Sequence, residues 1–165
     1  MILEEAGIPF EVRPANVDED EQGDPAAVAE ANARRKAAAV PGALVLGADT
    51  VVALDGVVYG KPRDEEQARE YLGALNGRTH EVVGAIALAR DGEVVATAVE
   101  TTKVTFRRRS EDEIAQYVAT GEWSGRAGGY AIQEEGGSFM VERIDGDYLN
   151  VVGLPLERLK SLLNA

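Results

Sequence analysis

Apolar residues recur along this chain in two rhythms, and the changes of rhythm mark the elements. Leu44 to Leu54 is almost continuously apolar and β-branched, as a strand buried on both faces would be. Asp55-Gly56 is a hairpin turn signal and Val57-Val58-Tyr59 the return strand. Two longer strand segments follow near 79–90 and 93–107, joined by Asp91-Gly92. The helical rhythm begins at Asp24-Pro25, an N-cap followed by proline at the first helical position, and runs to about Val40, where Pro41-Gly42 stops it. Asp64 caps a helix to about Asn76, ended by Gly77. Ser110-Glu111-Asp112-Glu113 is a capping box for a helix through Thr120, and Pro155 to Leu163 reads as a closing amphipathic helix.

The remaining stretches are less regular. Residues 1–7 read as the last turns of a helix closed by Gly7, and Phe10-Glu11-Val12-Arg13 alternates like a short strand. Residues 16–24 read as an acidic loop and 122–138 as a glycine-rich irregular segment. Phe139 to Ile144 reads as a strand turned at Asp145-Gly146. Hairpins among helices imply an α/β fold: a single domain over residues 1–165, with a mixed, partly antiparallel twisted sheet flanked by helices.

Composition narrows the function. The 165 residues suit one domain, with 45% hydrophobic and 28% charged residues. No run approaches the ~20 apolar residues of a membrane span, and Met1-Ile2-Leu3 meets Glu4-Glu5 at once, unlike a signal peptide. The lack of cysteine excludes disulfides and thiolate metal sites and fits a cytoplasmic protein. The net charge of -12 opposes broad binding to nucleic acid. Residues 1–30 carry nine acids against the single Arg13. A small anionic ligand then needs basic groups gathered locally, or a bridging metal ion.

Asp49 is the first candidate for chemistry. A charge inside Val45-Leu46-Gly47-Ala48-Asp49-Thr50-Val51-Val52 is costly unless paired, hydrated or metal-bound. Strand alternation puts Val45, Gly47, Asp49 and Val51 on one face, and Gly47 is expected to leave open space beside the carboxylate. The plain alternative is a structural aspartate bonding a loop. Lys61, in Gly60-Lys61-Pro62, is either a phosphate contact or a solvated loop lysine. Lys36 lies in the helical row Val28-Asn32-Lys36-Val40, turned partly inward or serving the helix dipole. Asp18-Glu19-Asp20-Glu21 could lend a carboxylate to a metal, or simply be solvated. His80 has no cysteine or second histidine with which to form a zinc site, and reads as structural or as lining a pocket. Gln133 follows Gly128-Gly129, either reading a base edge or bracing a loop. The chain contains no G-x-S-x-G, Walker A or G-x-G-x-x-G motif.

The order of these segments is more specific than any one of them. Gly7-Ile8-Pro9-Phe10-Glu11-Val12, Val45 to Val52 and Gly60-Lys61-Pro62 come first. Leu75-Asn76-Gly77-Arg78-Thr79-His80-Glu81-Val82 and Val104-Thr105-Phe106 follow. Ala127-Gly128-Gly129-Tyr130-Ala131-Ile132-Gln133, Gly146-Asp147-Tyr148 and Asn150-Val151-Val152-Gly153-Leu154-Pro155-Leu156 complete the series. Together they resemble the Maf family of nucleotide pyrophosphatases over nearly the whole chain.

The resemblance implies a Maf/ITPase-like fold and metal-dependent hydrolysis of nucleoside triphosphates to monophosphate and pyrophosphate, with Mg²⁺ or Mn²⁺. It also implies a link to arrest of septum formation and a homodimer. By position it makes Asp49 the catalytic aspartate, as general base or metal-linked carboxylate, and Glu19 the acidic residue of the metal and water site. It makes Lys36 and Lys61 phosphate contacts, with Thr50 and Gln133 beside the substrate. The Arg78-Thr79-His80 stretch resembles the branch that prefers dTTP and UTP, and puts Thr79 and His80 in contact with substrate. Family members open with a strand and a Ser-x-Ser-Pro-Arg-Arg loop that this sequence lacks. The expectation is therefore either an active enzyme on a shortened chain or an impaired homologue that binds nucleotide or a division partner. A purely structural interaction module would leave Asp49 unexplained.

Overall fold

The computed structural model describes residues 1–164. The expected hairpins assemble one five-stranded sheet in the order β2-β1-β3-β4-β5. The strands are β1 (Val45–Leu54), β2 (Val57–Tyr59), β3 (Thr79–Arg90), β4 (Glu93–Phe106) and β5 (Val141–Asp145). The partly antiparallel sheet expected from the turn signals is antiparallel at each pairing. Asp55-Gly56 and Asp91-Gly92 both take positive φ, the backbone that a two-residue hairpin turn requires.

The helices are α1 (Ile2–Glu5), α2 (Pro25–Ala39), α3 (Glu65–Leu75), α4 (Glu111–Ala119), α5 (Glu135–Met140), α6 (Tyr148–Val152) and α7 (Leu156–Leu163). The caps read from the sequence are formed: Asp24 accepts from the Ala27 amide, Asp64 from Gln67, and Ser110 and Glu113 close a capping box. Three details differ. Phe10–Arg13 forms no strand, because no neighbouring edge pairs with it. Phe139 and Met140 end helix α5, so β5 starts only at Val141. Tyr148–Val152 is a short helix started by the Asp147 carboxylate, which accepts from the Leu149 and Asn150 amides.

One sheet face is covered by α2, whose Val28, Ala29, Ala33 and Ala37 pack on Val51, Val83, Ala85 and Ala87. The opposite face carries two groups. At one end Leu72, Leu75, Ile114 and Val118 pack on Val52, Val82, Val104 and Phe106. At the other Leu154, Leu156 and Leu159 pack on Ile86 and Leu88. Cover on both faces explains why β1 reads as a nearly unbroken apolar run.

β2 is short and meets β1 only at Val52, Ala53 and Leu54. From Val45 to Val51 the outer edge of β1 has no strand beside it among the described residues. The Lys36 ammonium lies 3.3 Å from the Ala48 carbonyl oxygen, so that carbonyl points outward. Backbone groups alternate along a strand, so Leu46 and Thr50 also direct theirs outward. An apolar groove of about 650 Å³, lined by Leu3, Ile8, Phe10, Leu44 and Leu159, runs beside this edge.

Candidate functional site

The polar cluster forms where α2 crosses the open length of β1. Ala29, Ala33 and Ala37 are fully buried against the strand. A Cβ at Gly47 would collide with the Ala33 carbonyl oxygen and the Ala37 amide. The space expected beside Asp49 at Gly47 is therefore taken by the α2 backbone. This close seating is what brings Asn32 and Lys36, one turn apart on the same helix row, to Asp49.

Asn32 Nδ2 donates to Asp49 Oδ2 at 3.0 Å, and Lys36 Nζ donates to Asp49 Oδ1 at 3.0 Å. The same ammonium is 2.9 Å from Glu19 Oε1. One cation thus bridges two carboxylates, and Glu19 is held although its loop has no helix or strand. Burial alone would lower the Lys36 pKa, but bonding to Glu19 and Asp49 outweighs it and holds the ammonium above the usual lysine value. Burial likewise pushes Glu19 up, and the Lys36 charge reverses that, leaving the carboxyl below its usual range.

Beside this cluster a cleft of about 220 Å³ opens on the opposite face of the sheet, between its two groups of helices. Thr50, Val52 and Val82 form its floor, and Val151, Val152 and Gly153 one wall. Lys36, Asp49, Thr50, Lys61 and Gln133 all line it. Asp49 belongs to the α2 face yet reaches the cleft because β2 does not cover the edge there. Two loops shape the far side. The Gly128 amide donates to the Gly60 carbonyl at 3.0 Å, and Gly129 sits against Pro62. This clasp holds the Lys61 loop to the Arg126–Gly129 loop. Gly128 has φ 70° and packs on Val52, where a side chain would be strained and crowded.

Thr79 and His80 do not line this cleft. Thr79 is exposed on β3, its hydroxyl 2.8 Å from that of Thr105. His80 is 1% exposed and stacks edge-on against Phe106 and Tyr130. Its Nε2 lies 2.6 Å from the Tyr130 hydroxyl, and its Nδ1 has no partner. Burial pushes its pKa down to about 4, so the ring is neutral near pH 7. His80 meets the cleft only through Tyr130, which lines it.

Asn32, Arg126 and Tyr130 join the site without having been singled out. Asn32 carried a legible signal, a polar residue in the helix row that ends in Lys36. Arg126, on the glycine-rich segment, carried none.

The Maf family model, described as Maf-like protein, matches residues 1–165. The chain belongs to the Maf family. Its relatives include a Dictyoglomus thermophilum protein, 44% identical over 171 residues, covering 99% of this chain and 88% of the relative. A Thermus thermophilus protein is 48% identical over 163 residues, covering 98% and 86%. One from Anaeromyxobacter dehalogenans is 47% identical over 167 residues, also covering 98% and 86%. Each of these three is named dTTP/UTP pyrophosphatase. No described helix is long and apolar enough to cross a membrane.

Proposed function

We propose that this Maf chain hydrolyses nucleoside triphosphates, dTTP and UTP foremost, to the monophosphate and pyrophosphate, with cytoplasmic nucleotides as its pool. The observation that carries the reading is the Lys36 ammonium bridging Glu19 and Asp49 at the mouth of a cleft also lined by Lys61. A triphosphate is repelled by a chain of net charge -12 unless cations converge at one place, and here they do. In this reading Asp49 orients the attacking water and accepts its proton. Lys36 and Lys61 neutralise the phosphates, and Thr50 and Gln133 hold the substrate at the cleft floor and rim.

A divalent cation would take the place that the Lys36 ammonium holds between Glu19 and Asp49, leaving Lys36 free for the phosphates. Around the Lys36 ammonium lie the oxygens of Glu19, Asp49 and the Ala48 carbonyl, hard donors of the kind Mg²⁺ and Mn²⁺ prefer. Among the described residues no three His, Cys, Asp or Glu gather in one place, so Asp49 and Glu19 would hold the ion with water and phosphate oxygens. Such an ion supplies charge neutralisation on the phosphates and a more acidic water.

The test is pyrophosphate release with Mg²⁺ or Mn²⁺ across dTTP, UTP, CTP, GTP and ATP, beside Asp49→Asn. Release that is highest for dTTP and UTP and lost in Asp49→Asn is the expected result. Binding of dTTP by the folded chain without release would replace the reading with a nucleotide-binding homologue. Light scattering on the same sample reads out the expected homodimer.

A further inference from the structure

The loop that carries Glu19 has the least regular structure of any part of this site. Residues 13–21 belong to no helix or strand, and Asp18, Glu19, Asp20 and Glu21 repel one another. Its buried anchor is one side chain. Asn32 is 1% exposed, and its carboxamide faces the Asp20 backbone as a neighbouring strand would. Oδ1 accepts from the Asp20 amide at 2.7 Å and Nδ2 donates to the Asp20 carbonyl at 3.0 Å. Nδ2 also donates to Asp49 Oδ2 at 3.0 Å. The other ties to this stretch come from Arg35, whose side chain is 45% exposed, and from Lys36 itself.

We infer that Asn32 is a positioning residue: its carboxamide sets the spacing between Glu19 and Asp49, and so the oxygen pair that receives a divalent cation. A leucine would fill the same helix row and avoid burying an amide, which is unfavourable without partners. An amide is needed only because two things must be held at once, a loop backbone and a carboxylate. Its two Nδ2 hydrogens are divided between them. The inference rests on the hydrolase reading for the role of the pair, but its geometry does not.

The test compares wild type with Asn32→Leu and Asn32→Ala. The alanine change suits the Ala-rich row of α2 and secures a folded sample. Amide exchange of residues 18–21 and Mn²⁺ affinity by electron paramagnetic resonance are measured without nucleotide, then kcat and KM for dTTP. The expected result is exchange faster by about tenfold or more, Mn²⁺ affinity weaker by about tenfold, and kcat lower by about 10–100-fold, the usual cost of losing an outer-shell partner. KM for dTTP should change less than about threefold, because no substrate contact is removed. A lower Tm with loop exchange, Mn²⁺ affinity and kcat intact overturns the inference. So does a loosened loop with unchanged Mn²⁺ affinity, or a wild type that binds no Mn²⁺. If wild type releases no pyrophosphate, the hydrolase reading fails, while the exchange and Mn²⁺ measurements still decide the role of Asn32.

Discussion

Asp49 and His80 are both polar residues set into apolar strands, and the structure treats them in opposite ways. The Asp49 side chain is 9% exposed and meets an ammonium, a carboxamide and the rim of a cleft. His80 is 1% exposed and meets one phenol and two aromatic edges, with Nδ1 left without a partner. Burial alone does not distinguish a working group from a structural one. The difference is whether a compensating charge has been delivered to it. Asp49 is paired because α2 carries Lys36 there, whereas His80 is simply kept neutral.

The largest test of this contrast is Asp49→Asn, which keeps the shape and removes the proton acceptor. It should lower kcat by about 10³-fold or more, and also lower Tm while the chain stays folded, because the new amide nitrogen faces the Lys36 or Asn32 donor; pyrophosphate release and thermal unfolding measure the two. His80→Gln should leave kcat within about threefold of wild type, because His80 touches no cleft surface. A loss comparable to that of Asp49→Asn would break the comparison. Lys36→Met should lower kcat/KM about 100-fold and also destabilise the fold, because Glu19 and Asp49 then face each other without a counter-charge.

Gly47→Ala touches no charge, yet it forces α2 away from β1. It should lower stability by about 1–3 kcal/mol in chemical denaturation and weaken turnover along with it, since Lys36 and Asn32 travel with the helix.

The last effect leaves turnover aside and is one of pH. The folded pKa of His80, about 4, lies below the ordinary value of 6.5. Between these values the unfolded chain binds the extra proton, so the stabilising contribution is complete above pH 6.5 and is lost as pH falls toward 4. The loss amounts to about 3 kcal/mol, and His80→Gln should flatten that part of the stability–pH curve.

The sequence made the sheet legible because its signals are local. Asp55-Gly56, Asp91-Gly92, the Asp24 and Asp64 caps and the Ser110 capping box each act within a few residues, and each formed. The Phe10–Arg13 segment misled because a strand needs a partner edge, which alternation cannot supply. The site was legible in part for the same reason. Asp49 announced itself by the cost of its surroundings, and Lys36 by its helix row. Gly47 was misread because its function lies in the neighbouring helix, where the Ala33 and Ala37 backbone takes the space. The aromatic packing of His80 was not legible, because position in a motif says nothing of the Phe106 and Tyr130 rings packed over it.

The uncovered edge of β1 has a colloidal consequence. Leu46 and Thr50 offer main-chain donors and acceptors to any strand that arrives, including one from another molecule. What keeps copies apart is mutual repulsion from a net charge of -12. Acidification removes that repulsion by protonating carboxylates, over the same range in which His80 withdraws its support from the fold. Mildly acidic storage should therefore cloud a solution of this protein well before heating unfolds it at neutral pH.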